Sequence, residues 1–385
     1  MRILDIARRE CGIIKRHPVF WLAMVVFPLL TMVFFTSLME EGQPEDMPIG
    51  VVDCDNSTTS RKLVRNLDAF QTSHVVARYA DIGEARHAIQ RNEIYAFLYI
   101  PHNMEGDLLA MRCPEISFYY SMHSLTAGSL LFRDLKTIST LGGAAVGKAT
   151  MTAKGFTDEQ IMAFLQPITI DLHPIENPWV NYNFYLSAVL VPGMVMLFVF
   201  LITPYSLGME LKKGTARELL ARSDNNIFVV LTGKLLPHTL IFTAVMAVYL
   251  LYVFGTLHFP HSGGAWGLLL LALLIVVPSQ AFGVFCFGVA PSMRMSMSIC
   301  SLWAVLSFSI AGNAFPVMAM DAPLQSLAWL FPLRHYFQIY QASVFNGYAL
   351  SGVEFNMLAM LLFCIAPLFV MRRIKNAFNT FVYMP

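Results

Sequence analysis

Residues 18–38 read PVFWLAMVVFPLLTMVFFTSL, 21 positions without a charge. An α-helix rises about 1.5 Å per residue, so this segment is long enough to cross a hydrocarbon core of about 30 Å. A second apolar run fills 186–207, and four more crowd into the chain beyond residue 232. Spans are expected at 18–38, 184–208, 234–257, 266–290, 296–320 and 353–371. The roughly 145 residues between the first two have soluble character. The expected fold is therefore a membrane all-α protein of six transmembrane helices, with an α/β domain inserted between helices one and two. Composition agrees, because 56% of residues are hydrophobic, 13% are charged and the mean hydropathy is +0.57. A soluble domain of that composition would expose too much apolar surface.

A net charge of +1 leaves no electrostatic footprint for nucleic acid. The placement of charge says more. The short flanks on one side hold Arg2, Arg8, Arg9, Lys15, Arg16, Lys212, Lys213, Arg217, Arg222, Lys234, Arg294, Arg372, Arg373 and Lys375, while those on the other hold Arg334. By the positive-inside rule both termini are cytoplasmic and the inserted domain faces outward. The first span is too long for a cleaved signal and reads as a signal anchor. Ahead of it, over 1–17, Ile3, Leu4, Ala7, Cys11 and Ile14 recur at helical spacing with Arg8 and Arg9 set apart from them. That pattern predicts an amphipathic helix in the cytoplasmic interface.

The outer segment, 39–182, alternates strand and helix patterns. Strands are expected at 49–52, 75–76, 95–100 and 116–120, with helices opening near Ser57 and at Asp81 with Glu84. A longer helix is expected over 125–153, then 158–165 and 168–172 lead back to the membrane. Trp179, Tyr182 and Tyr185 sit at the re-entry point, as an interfacial aromatic belt would.

Catalytic chemistry is hard to find. The six cysteines include four in spans or at the cytoplasmic end, and Cys54 and Cys113 are the pair that shares the outer compartment. No metal-ligand spacing appears among the ten histidines. Residues 142–148 match GxxxxGK, but Ala149 stands where a phosphate loop needs Ser or Thr, and no strand precedes it. The chain is expected to have no ATPase site of its own.

The loop 209–233 is the most functional-looking short segment, running Glu210-Leu-Lys-Lys-Gly214-Thr215-Ala-Arg-Glu218-Leu219-Leu220. Thr215 and Glu218 match a T-x-x-E capping box, and Ala216, Leu219 and Leu220 would share one helical face. A short greasy helix offered to the cytosol suits docking by another subunit.

This loop, with Gly233-Lys234 after it, resembles the coupling segment of type-2 ABC exporter (ABC-2 type) permeases, which typically read E-x-x-x-G-T-x-E-x-L-L before a G-K. Glu218 falls one position later than the family's acid. The stretch 50–61 resembles the opening of the family's outer domain. Gly312, Phe315 and Pro316 on the fifth span, and Pro332 in the external segment 321–350 that follows, resemble its external re-entrant motif. The resemblance covers essentially the whole chain. It implies a transport subunit whose last five helices fill 183–385, coupled through Glu210, Gly214, Thr215, Glu218, Leu219 and Leu220 and through the interfacial helix to an ABC ATPase subunit, with ATP and Mg on that partner. It also implies a second permease copy or paralogue, a periplasmic adaptor, lipid contact and a bacterial inner-membrane location. With charges expected only at span ends, a hydrophobic or amphipathic cargo, drug-like or lipid-like, is favoured over an ion, and Met194, Met196, Phe198, Phe200, Met295, Met297 and Phe308 are candidate lining residues. The alternative is an ABC-linked sensing protein whose outer domain binds a ligand.

Overall fold

A computed structural model describes residues 3–110, 112–166, 171–173, 177, 180–261, 264–345 and 352–380. The chain divides into two compact units: Met1–Glu40 with Pro174–Pro385, and Glu41–His173.

The first unit holds six helices long and apolar enough to cross a membrane: Pro18–Leu38, Tyr182–Lys212, Ile227–Thr256, Trp266–Val289, Met293–Ile310 and Glu354–Thr380, hereafter spans one to six. Span two is the hub. It packs against spans one, four and five, and its Val195, Met196, Val199 and Phe200 are essentially inaccessible. Such all-round burial explains why its sequence is apolar on every face. A Cβ at Gly193 would collide with the Phe308 ring of span five, so glycine sets that close approach. Buried polar groups then fix the neighbours. Asn183 donates to the Thr36 carbonyl on span one at 2.9 Å, and Tyr249 of span three donates to the Ser187 carbonyl at 2.9 Å.

Four boundaries differ from the expected ones. Span two runs on to Lys212 rather than ending at 208, which places Glu210 inside it. Span three starts at Ile227 rather than 234, because Asn226 Oδ1 accepts from the Phe228 and Val229 amides and caps the helix there. Span five ends at Ile310 rather than 320, because Gly312 takes a φ of +95° that continues no helix. Span six is interrupted by a tight turn at Ala366–Phe369 around Pro367 and continues as the amphipathic segment Met371–Thr380. The expected belt is represented by Tyr182 and Tyr185, 6.1 Å apart. Trp179 and most of the expected 168–172 segment lie outside the described residues.

The second unit is a four-stranded sheet: β1 (Met47–Asp53), β2 (Ser73–Arg78), β3 (Ala96–Ile100) and β4 (Ser117–Tyr120), in the order β2-β1-β3-β4. β1 runs parallel to β2 and β3, and β4 is antiparallel to β3. Side chains alternate across a strand. Ile49, Val51, Leu98 and Ile100 therefore meet helices Thr58–Asp68 and Leu125–Ala153 on one face, while Val52 and Phe97 meet Ile82–Gln90 on the other. Ser57 Oγ accepts from the Ser60 amide and Asp81 Oδ1 from the Glu84 amide, which are the helix starts their sequence patterns announce. Residues 142–148 lie in the middle of helix Leu125–Ala153, where backbone amides are committed to the helix ladder rather than to a phosphate. Cys54 and Cys113 are both free thiols.

Candidate functional site: a buried charge cluster beside the loop 209–233

The N-terminal helix forms as Ile3–Arg16, but its buried stripe is rotated from the expected one. Ile6, Ala7, Glu10 and Ile14 are buried, whereas Leu4 is 71% exposed and Cys11 is exposed. The helix lies against the start of span three. At Gly233 a Cβ would come within 2.8 Å of the Ile3 carbonyl and of Ile6 Cβ, so the glycine before Lys234 permits the contact.

Burial of that stripe carries a carboxylate into the helical unit. Glu10 Oε2 accepts from Lys234 Nζ at 2.7 Å; its Oε1 accepts from Ser206 Oγ at 3.0 Å and lies 3.1 Å from His238 Nε2. Lys234 also donates to Glu210 Oε1 at 2.8 Å. Arg9 grips the same carboxylate with both terminal nitrogens, at 2.9 and 3.0 Å, and Thr215 Oγ1 donates to Glu210 Oε2. Glu10, Lys234, His238 and Glu210 are all 3% exposed or less. Two carboxylates thus face two basic side chains, Lys234 buried with them and Arg9 reaching in from a partly exposed position. Charges at such burial are tolerated only when paired and hydrogen-bonded. Burial by itself would push the Glu10 carboxyl up; Lys234 and His238 outweigh it and hold the group below its ordinary value. The hydrogen bond to Glu210 raises Arg9 in turn. With Nε2 beside a carboxylate, the neutral His238 tautomer that fits carries its proton there.

Sequence reasoning expected no charge inside a span, and the structure corrects this. Glu210 occupies the last turn of span two, and Lys234 and His238 share one face of span three. The error came from starting span three at Lys234. Two signals were present: an acid inside an Arg-rich amphipathic helix, and Lys234 with His238 at i, i+4 in an otherwise apolar stretch. Glu10, Ser206 and His238 were missed altogether.

The loop 209–233 departs from expectation in two respects. Gly214 has φ +69°, its amide bonds to the Leu211 carbonyl and that of Thr215 to the Glu210 carbonyl, so span two ends in a Schellman turn. Thr215 belongs to that turn, and no capping box forms: its hydroxyl serves Glu210, and Glu218 pairs instead with Arg222. The helix Ala216–Ala221 exists, but Leu219 and Leu220 are 3% and 1% exposed and lie in a cluster with Ile6, Leu211, Val230, Ile374 and Phe378 of this same chain. They are not free to meet a partner. What the loop presents outward is polar: Lys212, Lys213, Arg217, Glu218 and Arg222. Arg8 is likewise exposed, and Lys213 Nζ lies 3.0 Å from His17 Nε2.

The remaining motif residues sit apart from this cluster in the sequence. Gly312 ends span five, Phe315 is 52% exposed and Pro316 opens the turn Val317–Ala319. Pro332 is the buried first residue of helix Pro332–Tyr340, whose His335 contacts Asn356 Oδ1 and the Trp329 carbonyl, each at 2.9 Å. Positions 346–350 of the expected re-entrant segment lie outside the described residues. The seven candidate lining residues do not share a surface, since Met196 and Phe200 are fully buried and Met295 is 58% exposed. Among the described residues no group of His, Cys, Asp or Glu comes together as metal ligands. In the α/β unit an open hollow of about 440 Å³ is lined by Ile89, Phe97, Phe118 and Tyr120, with Arg86 over the Tyr119 ring.

The cluster is a brace that joins the N-terminal helix, span two, the loop and span three. The family model for ABC-2 family transporter proteins matches residues 18–371. The chain is 18% identical over 342 residues to the probable multidrug ABC transporter permease YbhR of Escherichia coli K12, covering 88% of each. It is 20% identical over 327 residues to the inner membrane transport permease YhhJ of the same strain, covering 85% of this chain and 84% of that one. Membership implies an ABC ATPase as partner. Six apolar spans and a family match over nearly its whole length make this chain a transport permease of the ABC-2 family.

Proposed function

We propose that the chain is the permease subunit of an ATP-driven exporter that moves a hydrophobic or amphipathic cargo out of the cytoplasm or the inner membrane. It works as a dimer with a second copy or paralogue, with ATP and Mg on the separate ATPase subunit. Both termini and the loop 209–233 face the cytoplasm, and residues 41–173 lie outside, where they meet a periplasmic adaptor. The names of YbhR and YhhJ support the multidrug and inner-membrane parts of this reading. The observation that carries it is the brace. Movement imposed on the exposed face of Ala216–Ala221 passes through Leu219 and Leu220 to the chain's own core, and through Glu210 to Arg9, Lys234 and Glu10. A ligand shifts a conformational equilibrium only through contacts that differ between its states, and a rigid brace delivers that difference to the spans.

The docking contact is therefore polar. Arg217→Glu with Arg222→Glu, reconstituted with the ATPase subunit, is expected to lower cargo-stimulated ATP turnover by about tenfold, the equivalent of roughly 1.4 kcal/mol. The melting temperature should hardly change, because both side chains are exposed. Undiminished coupling in the double variant would sink this assignment of the docking face.

A further inference from the structure

An open sheet has two edges, and each presents backbone N–H and C=O groups that no neighbouring strand takes. On β2 that row is interrupted. Asp68 Oδ1 accepts from the Val75 amide at 2.7 Å, and the pairing with β1 skips Val76, as a bulge does. The β4 edge has neither device. Its residues, Ser117–Tyr120, include no Pro, Lys or Arg, and their register with β3 is unbroken. Just beyond them the Ser121 amide donates to the Tyr95 carbonyl. Bonded pairs alternate along an antiparallel ladder, so Tyr119 is bonded to Phe97, while the amides and carbonyls of Phe118 and Tyr120 point away from β3. Among the described residues no strand pairs with β4 on that side.

The open hollow of about 440 Å³ follows this same edge, because Phe118, Tyr119 and Tyr120 all line it. Side chains of successive strand residues point to opposite faces, so three in a row border one cavity where it runs along the strand's edge. Its other wall is helix Ile82–Gln90, through Arg86, Ile89 and Gln90. Phe97 stacks on Tyr119 at 4.7 Å, which gives the hollow an aromatic lining. Arg86 is exposed, stands 5.3 Å from the centre of the Tyr119 ring and joins no ion pair among the described residues. An accessible cation thus overlooks an unprotected strand.

We propose that β4 is extended by an antiparallel strand from a partner polypeptide that carries an acidic and an apolar side chain on the face toward helix Ile82–Gln90. The added backbone takes the outward groups of Phe118 and Tyr120. The apolar side chain fills the hollow, and the acid meets Arg86. In strand addition the main-chain bonds supply affinity and the pockets choose the sequence. A second copy of this chain fits less well. Two β4 strands paired about a two-fold axis would centre on Tyr119 and turn one Arg86 toward the other, a like-charge contact. The inference goes beyond the transport reading and does not depend on the cargo.

The test uses the full chain in detergent and the fluorescence anisotropy of a labelled, end-blocked peptide, Thr-Phe-Thr-Glu-Thr-Val-Thr, whose Phe, Glu and Val share one strand face. Saturable binding is expected. The same peptide N-methylated at its threonines, whose amides face β4 in the antiparallel arrangement, should not bind. A peptide with Gln for Glu should bind severalfold more weakly, as loss of an exposed ion pair allows. Arg86→Gln should weaken the acidic peptide to that level and leave the Gln peptide unchanged, a coupling that a folding defect does not produce. Tyr120→Pro removes an outward donor while sparing the ladder with β3, since proline is tolerated on a strand edge. It should abolish binding with the melting midpoint close to wild type. Binding of the N-methylated peptide, or full affinity in Arg86→Gln, would overturn the proposal, as would the absence of saturable binding. Displacement of the peptide by an equal concentration of phenylacetate would overturn it too, since the hollow would then be a small-carboxylate site. Release of a second copy of the chain by excess peptide would instead assign the edge to a self-contact and sink the proposed partner.

Discussion

Lys234 sits at 2% exposure between Glu10 and Glu210, a position tolerable only because both carboxylates reach it. Removing one partner from a buried pair typically costs about 3–5 kcal/mol, while replacing both by neutral groups is often close to neutral. Glu10→Gln alone and Lys234→Met alone should each lower the thermal midpoint of the purified chain markedly. The double variant should recover most of the loss, because Arg9 and Glu210 remain paired. Equal midpoints for wild type and both single variants would show that the cluster contributes nothing to stability. The Glu10 pair also carries a pH signature. Its carboxyl is held below the ordinary value of 4.5, so the stabilisation is fully present above about that pH. It is lost as pH falls through the lower folded value. Glu10→Gln should therefore flatten the acid limb of the melting profile and leave the neutral limb parallel to wild type.

At the scale of the element, the loop helix Ala216–Ala221 separates what periodicity reveals from what it hides. Apolar residues at i, i+3 and i+4 announced correctly that one face is covered, but a pattern cannot say by what. Here the cover is the chain's own Ile374 and Phe378, brought back from the far end of the sequence. Leu219→Asp with Leu220→Asp should therefore abolish folding rather than uncouple a folded permease, since burying two charges in that cluster costs several kcal/mol. A monodisperse double variant with a normal melting curve would contradict this packing. The T-x-x-E signature misled for a related reason. Thr215 was claimed first by the Schellman turn that Gly214 makes, a backbone event that outranks a side-chain motif. In the N-terminal helix the apolar spacing was legible but its phase was not. Paired with Lys234, Glu10 is part of the buried face, and a stripe drawn through hydrophobic letters alone runs along the wrong one.

The whole molecule was legible where local signals agree with tertiary ones. Six apolar runs became six spans, and β1 to β4 fell on the four β-rich stretches. Agreement of that kind marks parts of a chain that fold on local instruction. In the α/β unit both apolar clusters, one on each face of the sheet, draw only on residues between Met47 and Ile138. Among the described residues, none from the spans enters either cluster. Residues 41–173 expressed alone should therefore give a soluble protein with mixed α/β circular dichroism and a single cooperative melt. The α/β spectrum alone would not be enough, because a collapsed chain keeps secondary structure without fixed packing. The discriminating variant is Leu131→Ala, fully buried beneath the sheet. In a packed core it should cost about 2–5 kcal/mol and lower the melt accordingly. In a loose one it would change little. A non-cooperative melt, or indifference to Leu131→Ala, would mean that the unit holds its shape only when tethered to the spans at both ends.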